Sequence, residues 1–250
     1  MAYRKEKFEN EDIVHITLKG VDGNLIFKDL DDYFRGIFSI YEFNNSKSVS
    51  IKDRRIAIKR LKKKTRGRTS GQFLEDKRDK LVEILVFCFM PNHIHLLVRQ
   101  TKDNGITEFM RKIGTGYGGY INRKYKRQGH VFQSSFNAVK IKTDEQLKVV
   151  FAYIHTNPLS LKYPKWKEIR IENLEEAVKF LESYKWSSYL DYIGIKIFPS
   201  ITERGFITKL MGGERGCRDF IKYWIEYKGE PEKHYGLFMK EEKTRGRTSG

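Results

Sequence analysis

The chain has 250 residues, enough for one large domain or for a catalytic domain with a small extension. Its 49 lysines and arginines exceed its 32 acidic residues, and the formal net charge of +17 favours a polyanionic partner, either nucleic acid or an anionic membrane surface. The longest apolar run, residues 84–90, is too short to span a membrane, so we expect a soluble, cytoplasmic protein associated with the nucleoid, with no membrane partner.

The N-terminal part predicts a strand, a turn and a helix. Residues 13–20 alternate between apolar and polar side chains and are rich in β-branched ones, which is typical of a strand. The sequence VDGN at 21–24 predicts a turn, after which residues 25–27 are a candidate for a short second strand. Residues 29–43 place apolar side chains every three or four positions and acids in the first turn, so they predict a helix.

A basic stretch follows this helix. Residues 52–68 contain ten basic residues and one acid, and a solvated basic surface and a nucleic-acid contact are equally open interpretations. The sequence KTRGRTSG occurs at 64–71 and again at 243–250, without the fixed period of a structural repeat. Its composition predicts flexibility in both places, and either a duplicated stretch of coding DNA or an added C-terminal sequence would produce it.

Residues 81–100 predict the centre of the fold. Two apolar, β-rich runs are broken by Pro91 and Asn92, which indicates a tight hairpin of central strands. Residues 106–125 predict a helix, but glycines at 114, 116, 118 and 119 each cost about 1 kcal/mol relative to alanine, so this helix is a candidate for a break. Residues 130–141 predict another strand.

The remaining elements are helical. Thr143 followed by Gln146 forms a capping box, which predicts a helix running to Asn157, where Pro158 stops it. Residues 172–184 and 218–227 predict further helices. Strands and helices are thus mixed around a central hairpin, and we expect an α+β fold with an antiparallel sheet and helices on one face.

Two histidines lie in the second strand of the predicted hairpin. Alternate residues of a strand share a face, so His93 and His95 face one way and the apolar Ile94, Leu96 and Val98 face helices on the other side. Two imidazoles at this spacing can reach one divalent ion. Two hydrogen-bonded structural histidines would produce the same pattern.

The helix that ends at Pro158 carries a second candidate pair. Tyr153 and Asn157 are four residues apart and share one face, beside an apolar stripe that packs on the sheet. His155 lies about 200° round the helix from Tyr153 and cannot share its direction. A phenol next to an amide oxygen could supply a nucleophile and a metal ligand; a core tyrosine and an asparagine cap are the alternative.

At these residues the sequence resembles a known family. FMPNHIHLL at 89–97 resembles the histidine–hydrophobic–histidine (HUH) strand of the single-tyrosine, IS200-like HUH transposases. YIHTNP at 153–158 resembles the tyrosine helix of the REP-associated tyrosine transposases among them. The resemblance covers about residues 13–227 without the basic stretch near 46–80, and further signatures of that branch are resembled by residues 122–125, 129–133 and 186–189.

The resemblance implies a ferredoxin-like fold and a metal-dependent endonuclease and strand transferase. Its substrate would be single-stranded DNA beside a short hairpin, a REP-like palindrome. The resemblance marks Tyr153 as the nucleophile that forms a 5′-phosphotyrosine intermediate. It marks His93, His95 and Asn157 as ligands of one Mg²⁺ or Mn²⁺ ion.

The segment 109–130 contains no acidic residue and interleaves basic with aromatic side chains. This composition suits single-stranded DNA, where stacking of a base on a ring contributes about 1–3 kcal/mol. Core packing is an equally open interpretation for the two tyrosines that lie inside the predicted helix. The candidate DNA contacts are Arg111, Lys112, Tyr117, Tyr120, Arg123, Lys124, Lys126 and Arg127.

Two other functions fit the same residues: a non-catalytic, structure-specific nucleic-acid-binding protein, and a metal nuclease in which water attacks and Tyr153 only stacks. The domain prediction is a transposase/nuclease domain at 1–165, with a basic insertion at about 46–80, and a helical accessory region at 166–250 with a flexible tail at 240–250. Related enzymes differ in whether the tyrosine completes its own subunit's site or a partner's. The accessory region favours a monomer over a dimer.

Overall fold

The computed structural model describes residues 7–50, 53, 54, 56, 76, 78–133, 135–169 and 171–227. Most of the basic stretch, both copies of KTRGRTSG and the tail at 240–250 lie outside the described residues. In the described part of the chain, no helix is both long and apolar enough to cross a membrane.

Four strands form the centre of the molecule: β1 (Ile13–Lys19), β2 (Val82–Met90), β3 (His93–Gln100) and β4 (Asn137–Ile141). Two long helices connect them, α1 (Leu30–Glu42) between β1 and β2 and α2 (Gly105–Lys124) between β3 and β4. After β4 come α3 (Asp144–Thr156), α4 (Leu159–Lys162), α5 (Leu174–Ser183), α6 (Tyr189–Tyr192), α7 (Gly205–Leu210) and α8 (Gly213–Glu226).

The sheet has the strand order β2-β3-β1-β4, and all three strand pairs are antiparallel. Combined with the chain order β1-α1-β2-β3-α2-β4, this is the ferredoxin-like arrangement. The predicted fold class is therefore confirmed: an α+β fold with an antiparallel sheet, in which the hairpin of β2 and β3 turns at Pro91 and Asn92.

The two faces of the sheet have different partners. Ile94, Leu96 and Val98 of β3 are buried in one apolar cluster with residues of α1 and α2, as the alternation in the sequence predicts. On the opposite face, Leu97 belongs to a second cluster with α3 and the C-terminal helices. The connecting helices thus cover one face, and α3 covers part of the other and leaves the histidine end of β3 at the surface of a cleft.

The glycine-rich helix α2 is not broken. Gly116 faces Phe43, the residue that follows α1, and a methyl group at position 116 would overlap the phenyl ring. Around Gly114, by contrast, no atom lies within 4 Å of where a β-carbon would stand. At position 116 glycine allows the two helices to approach closely, which offsets its low helix propensity.

Some local predictions are wrong. Residues 25–27 form no strand; the N–H groups of Ile26 and Phe27 both donate to the carbonyl of Pro91, which ties this segment to the hairpin turn. The predicted strand at 130–141 is regular only from Asn137, and Phe132 makes a single bridge to Gly20. The short helices α4, α6 and α7 were not predicted, because each is too short to show a helical period.

The C-terminal helices share a core with the sheet and α3. Residues of α5, α6 and α8 lie in the same apolar cluster as Phe151 and Ile154 of α3. The segment 186–188 also runs along the outer edge of β2: Phe89 N donates to Trp186 O at 2.9 Å, and Ser188 N donates to Phe87 O at 3.0 Å. This segment covers part of an otherwise open sheet edge.

Candidate active site

His93 and His95 lie at the start of β3. A residue of the hairpin turn orients the His93 ring, and burial orients the His95 ring. Asn92 accepts a hydrogen bond from Nδ1 of His93 at 2.7 Å. The amide of Asn92 in turn donates to Gly23 O at 3.4 Å, so the turn residue is itself held. His95 is only 2% exposed, and the centroids of the two imidazole rings are 4.8 Å apart.

Helix α3 brings Tyr153 and Asn157 to the same place. The Tyr153 ring meets the His95 ring edge-on, with 5.5 Å between centroids. The side chain of Asn157 donates through Nδ2 to Tyr153 O at 2.8 Å, which leaves its Oδ1 atom for another partner. Both residues are nearly buried, at 7% and 5% exposed. The structure thus brings together all four residues that the sequence singled out as nucleophile and ligands.

Two residues of β1 support His95 and were not predicted. His15 Nε2 lies 3.0 Å from His95 Nδ1, and Thr17 Oγ1 lies 3.3 Å from the same nitrogen. The His15 and His95 rings are stacked, with centroids 5.2 Å apart. The sequence held one signal for them: His15, Thr17 and Lys19 alternate with apolar residues and so share the face of β1 that continues the histidine face of β3.

The site holds its imidazoles in the neutral form. Burial, followed by the charges of Lys19 and Lys167, lowers the pKa of His93 to about 4. Burial is also the main cause that holds the pKa of His95 well below its usual value, and burial lowers the pKa of His15 to about 3. All three rings are therefore uncharged near pH 7, the state in which a ring nitrogen can donate its lone pair to a metal ion.

The donor set fits a divalent ion. His93 uses Nδ1 for Asn92, and His95 uses Nδ1 for His15 and Thr17, so Nε2 is the ligating nitrogen available on each ring. Hydrogen bonding of the second ring nitrogen is the usual way in which proteins orient histidine ligands. Asn157 Oδ1 adds an oxygen donor on the helix side. Among the described residues no group of three or more histidine, cysteine or acidic side chains offers an alternative metal site.

These residues line one open cleft. Its floor is the sheet, and Tyr153 and Asn157 form one wall. The described residues that line it are Thr17, Lys19, Gly20, Gly23, Asn92, His93, His95, Gln133, Tyr153, Asn157, Ser160 and Lys167. No acidic side chain is among these described residues, so the cleft is suited to an anion.

Comparison with known proteins finds a similarity that includes most of this site. Residues 48–157 match the family model described as "Transposase IS200 like". The match contains β3 with both histidines and ends at Asn157, the last residue of the candidate site on α3. The matched residues, 110 of the 250, are similar to the IS200-like transposases.

The IS200-like match differs from the sequence resemblance in its extent. It begins at residue 48 and includes the basic stretch, which the resemblance left out, and it stops before residues 186–189. No curated protein matches the chain. Among solved structures, the chain is similar to a REP-associated tyrosine transposase bound to a REP hairpin, with a TM-score of 0.47, 13% identity and coverage of 82% of this chain and 98% of that one.

A second similar structure is a tRNA(His) guanylyltransferase from Saccharomyces cerevisiae. The TM-score is 0.30 at 12% identity, with coverage of 92% of this chain and 86% of that one.

The candidate DNA contacts predicted from the sequence are spread over α2 and the residues after it. Arg111 pairs with Glu108, with 2.7 Å between Nη2 and Oε1. Lys112 donates to the carbonyl groups of Asn45, Ser46 and Lys47, beyond the end of α1. Both cations therefore already have partners within the protein, and they lie in the first half of α2, far from its last turn.

The structure contradicts the prediction that Tyr117 contacts DNA. It is 1% exposed, and its hydroxyl donates to Ile26 O at 2.7 Å, deep in the cluster under α1 and α2. A ring in this position cannot stack on a base without unfolding of the helix pair, so core packing is the right interpretation. Helical spacing alone could not separate a buried tyrosine from an exposed one.

Tyr120 and Lys124 belong to a polar cluster at the start of α1. Lys124 Nζ lies 2.7 Å from carboxylate oxygens of both Asp29 and Asp32, and Tyr120 donates to Asp32 Oδ1 at 2.9 Å. The Lys124 and tyrosine donors, with a backbone N–H, lower the pKa of Asp32 although burial opposes this. The cluster joins α2 to the N-terminus of α1.

The end of α2 leads to the cleft. Arg123 and Lys126 are exposed, and Arg127 is partly exposed with a hydrogen bond to His130 O at 3.2 Å. A few residues on, Gln133 N donates to Lys19 O at 2.9 Å, which fixes Gln133 at the rim of the cleft. Three of the predicted DNA contacts therefore precede Gln133, at the rim of the candidate active site, by six to ten residues of the chain.

Proposed function

We propose that the chain is a metal-dependent, single-stranded DNA endonuclease and strand transferase that acts through a 5′-phosphotyrosine at Tyr153, next to hairpin DNA. One observation carries this: the Tyr153 ring lies against His95 in a cleft that also holds His93 and Asn157 and has no described acidic lining. A nucleophile, a neutral nitrogen donor pair and a site suited to an anion are the parts that phosphodiester transfer requires.

The reaction is a transfer between two oxygens. The Tyr153 hydroxyl oxygen forms a bond to phosphorus, the bond from phosphorus to the 3′ oxygen breaks, and the 3′ oxygen takes up a proton equivalent to the one that the phenol loses. Attack by another 3′-hydroxyl reverses these changes and joins strands. A divalent ion bound to His93, His95 and Asn157, Mg²⁺ or Mn²⁺, would supply Lewis-acid polarisation of a phosphate oxygen.

The protein residues prepare this step. Burial of Tyr153 between the cleft and the core leaves its ring few orientations, because His95 and His15 meet it edge-on. The hydrogen bond from Asn157 to Tyr153 O couples the last turn of α3 to the residue that carries the nucleophile. Fixed geometry of this kind removes part of the entropic cost of bringing two reacting groups together.

The DNA strand would reach Tyr153 along the path from Arg123, Lys126 and Arg127 to Gln133. The cations would hold successive phosphates by charge, which contributes affinity but no sequence preference. Arg111 lies about 18 Å from Arg123 along α2, because twelve helical residues rise about 1.5 Å each. Lys112 is its neighbour in the sequence, and both cations already have partners within the protein. A monomer is proposed, because His93, His95, Tyr153 and Asn157 all come from one chain.

Denaturing electrophoresis of the protein with labelled, hairpin-flanking single-stranded DNA and Mn²⁺ tests the proposal. We expect a labelled protein–DNA adduct that requires the metal, disappears in Tyr153→Phe and is lost in His93→Ala. Tyr223→Phe is the matched control, since Tyr223 is 58% exposed and outside the cleft. Cleavage without an adduct in both tyrosine variants would indicate hydrolysis by water. DNA binding with neither cleavage nor adduct would indicate a non-catalytic binding protein.

A further inference from the structure

Lys167 approaches the candidate nucleophile from outside the matched family region. Its ammonium group lies 4.6 Å from the centroid of the Tyr153 ring, and the residue lines the cleft. It belongs to the segment between α4 and α5, ten residues beyond the end of the family match at 157. Neither the histidine strand nor the tyrosine helix accounts for a cation at this position.

The segment that carries Lys167 is anchored to the protein core. The neighbouring Trp166 is 4% exposed and lies in the apolar cluster of α3 and the C-terminal helices. Trp166 N donates to Tyr163 O at 3.0 Å, and the N–H groups of Glu168 and Ile169 both donate to Lys165 O at 2.8 Å. The turn and the buried indole fix the backbone on either side of Lys167, which keeps its side chain next to the cleft.

Lys167 shares the cleft with a second cation. Lys19 lies opposite His93 in the register of β1 and β3, so its charge comes from the sheet, whereas Lys167 comes from the loop beyond α3. The charges of both residues act on the His93 imidazole. With no acidic side chain among the described lining residues, the two cations make the space beside Tyr153 a site for a singly charged phosphodiester.

We propose that Lys167 is a catalytic residue, whose ammonium group contacts a non-bridging oxygen of the scissile phosphate during attack by Tyr153 and remains next to the phosphotyrosine afterwards. This inference rests on the proposed function and names one more group for it. Before DNA binds, the face of the Tyr153 ring holds the ammonium in a cation–π contact. The charge that develops on the phosphoryl oxygens in the transition state then gives the ammonium a stronger partner.

The test is the single-turnover rate of adduct formation at saturating protein. We expect Lys167→Ala to slow the adduct about 100-fold, the effect of losing one preorganised charge-stabilising donor, and Lys167→Arg to recover most of the rate. Lys165→Ala is the matched control, because Lys165 is also an exposed lysine of the same segment but does not line the cleft. It should react at the wild-type rate.

The rate of strand rejoining is a second measurement, and a purely structural role of Lys167 would not predict the same change in it. Lys167 lies beside a singly charged phosphodiester both before attack and in the phosphotyrosine, and stabilises the transition state more than either. Lys167→Ala should therefore slow release of the DNA to an added 3′-hydroxyl by the same factor and leave the equilibrium fraction of adduct unchanged. Circular dichroism and urea unfolding would show that the variant is folded.

The outcomes separate the two proposals. A wild-type protein that forms no adduct would overturn the proposed function, and the role of Lys167 with it. A wild-type adduct with Lys167→Ala equally fast would overturn the role of Lys167 alone. An equal loss in Lys165→Ala would also overturn it, since the effect would then come from overall charge and not from contact with the phosphate.

Discussion

Tyr153 and His155 are two residues apart on α3 and point to opposite sides of the helix. Tyr153 faces His95 in the cleft, whereas His155 is 0% exposed, and its Nε2 atom lies 2.8 Å from Ser188 Oγ. The His155 ring also packs on Phe151 and Tyr192. One side of the helix therefore presents Tyr153 to the cleft, and the other side fixes the helix to the C-terminal part of the molecule.

Acid should destabilise the protein partly through His155. Burial lowers its pKa to about 3, against about 6.5 in an unfolded chain, so the unfolded state binds one more proton between these values. The stability that neutral His155 contributes is complete above about pH 6.5 and is lost as the pH falls toward 3. In His155→Gln, we expect the slope of the unfolding free energy against pH to fall by about one proton, or about 1.4 kcal/mol per pH unit.

Urea unfolding of wild type and His155→Gln at a series of pH values through this window measures the slope. Carboxylates titrate in both proteins and cancel in the comparison. An unchanged slope would show that His155 is protonated in the folded protein.

His15 should affect the metal response of the site. Replacing it by phenylalanine keeps a ring stacked on His95 but removes the Nε2 atom that lies 3.0 Å from His95 Nδ1. Loss of a partner that orients a ligand typically costs about 10–100-fold in metal affinity, so the Mn²⁺ concentration for half-maximal adduct formation should rise by that factor. A Mn²⁺ titration of both proteins measures this. The same midpoint in both would mean that Thr17 alone orients His95.

The sequence predicted the residues of the site that belong to short local patterns. His93 and His95 share a strand face, and Tyr153 and Asn157 share a helix face, so spacing was enough to pair each set. His15 and Lys167 reach the site through the register of β1 on β3 and through a loop anchored by Trp166, and no local spacing encodes either contact. Tyr117 shows the converse, because helical spacing places it next to basic residues although its ring lies in the core.

At the scale of elements, the glycines of α2 should respond differently to alanine. Gly114→Ala should stabilise the protein by up to about 1 kcal/mol, since alanine favours the helix and its methyl group meets no atom within 4 Å. Gly116→Ala should destabilise it by about 1–3 kcal/mol, because its methyl group would overlap the buried Phe43 ring. Urea unfolding of the two variants measures the difference. Equal effects would show that Phe43 moves aside without cost.

The elements that were predicted best are those with a full period and clear ends. Helix α3 begins after Thr143, whose side chain accepts from Gln146 N at 3.2 Å, and ends before Pro158, as the capping box and the proline predicted. Residues 25–27 have strand composition but no neighbouring strand, because the carbonyl of Pro91 takes two of their N–H groups. Tertiary pairing, which the local sequence does not contain, decided the conformation of that segment.

At the scale of the whole molecule, the predicted boundary at residue 165 cuts through a shared core. Phe151 and Ile154 of α3 are fully buried in a cluster that includes Ile221 of α8 and Tyr192 of α6. Each large apolar side chain that becomes exposed costs about 1.5–3 kcal/mol, and a domain has only about 5–15 kcal/mol to lose. A fragment of residues 1–165 should therefore fail to unfold cooperatively.

Circular dichroism during urea unfolding, with size-exclusion chromatography, compares that fragment with the full chain. A cooperative transition at the midpoint of the full chain would show instead that residues 166–250 fold as a separate unit. The proposed domain boundary would then stand.

The anchoring of α3 has a consequence for how two copies of this protein could cooperate. The helix α3 packs between the sheet and the C-terminal helices. It cannot exchange with α3 of a neighbouring molecule unless the C-terminal helices exchange with it, because His155 and Phe151 would otherwise lose their contacts. Exchange of the tyrosine helix alone is thereby disfavoured. Each molecule would cut with its own tyrosine, and the rate per molecule would not depend on dilution.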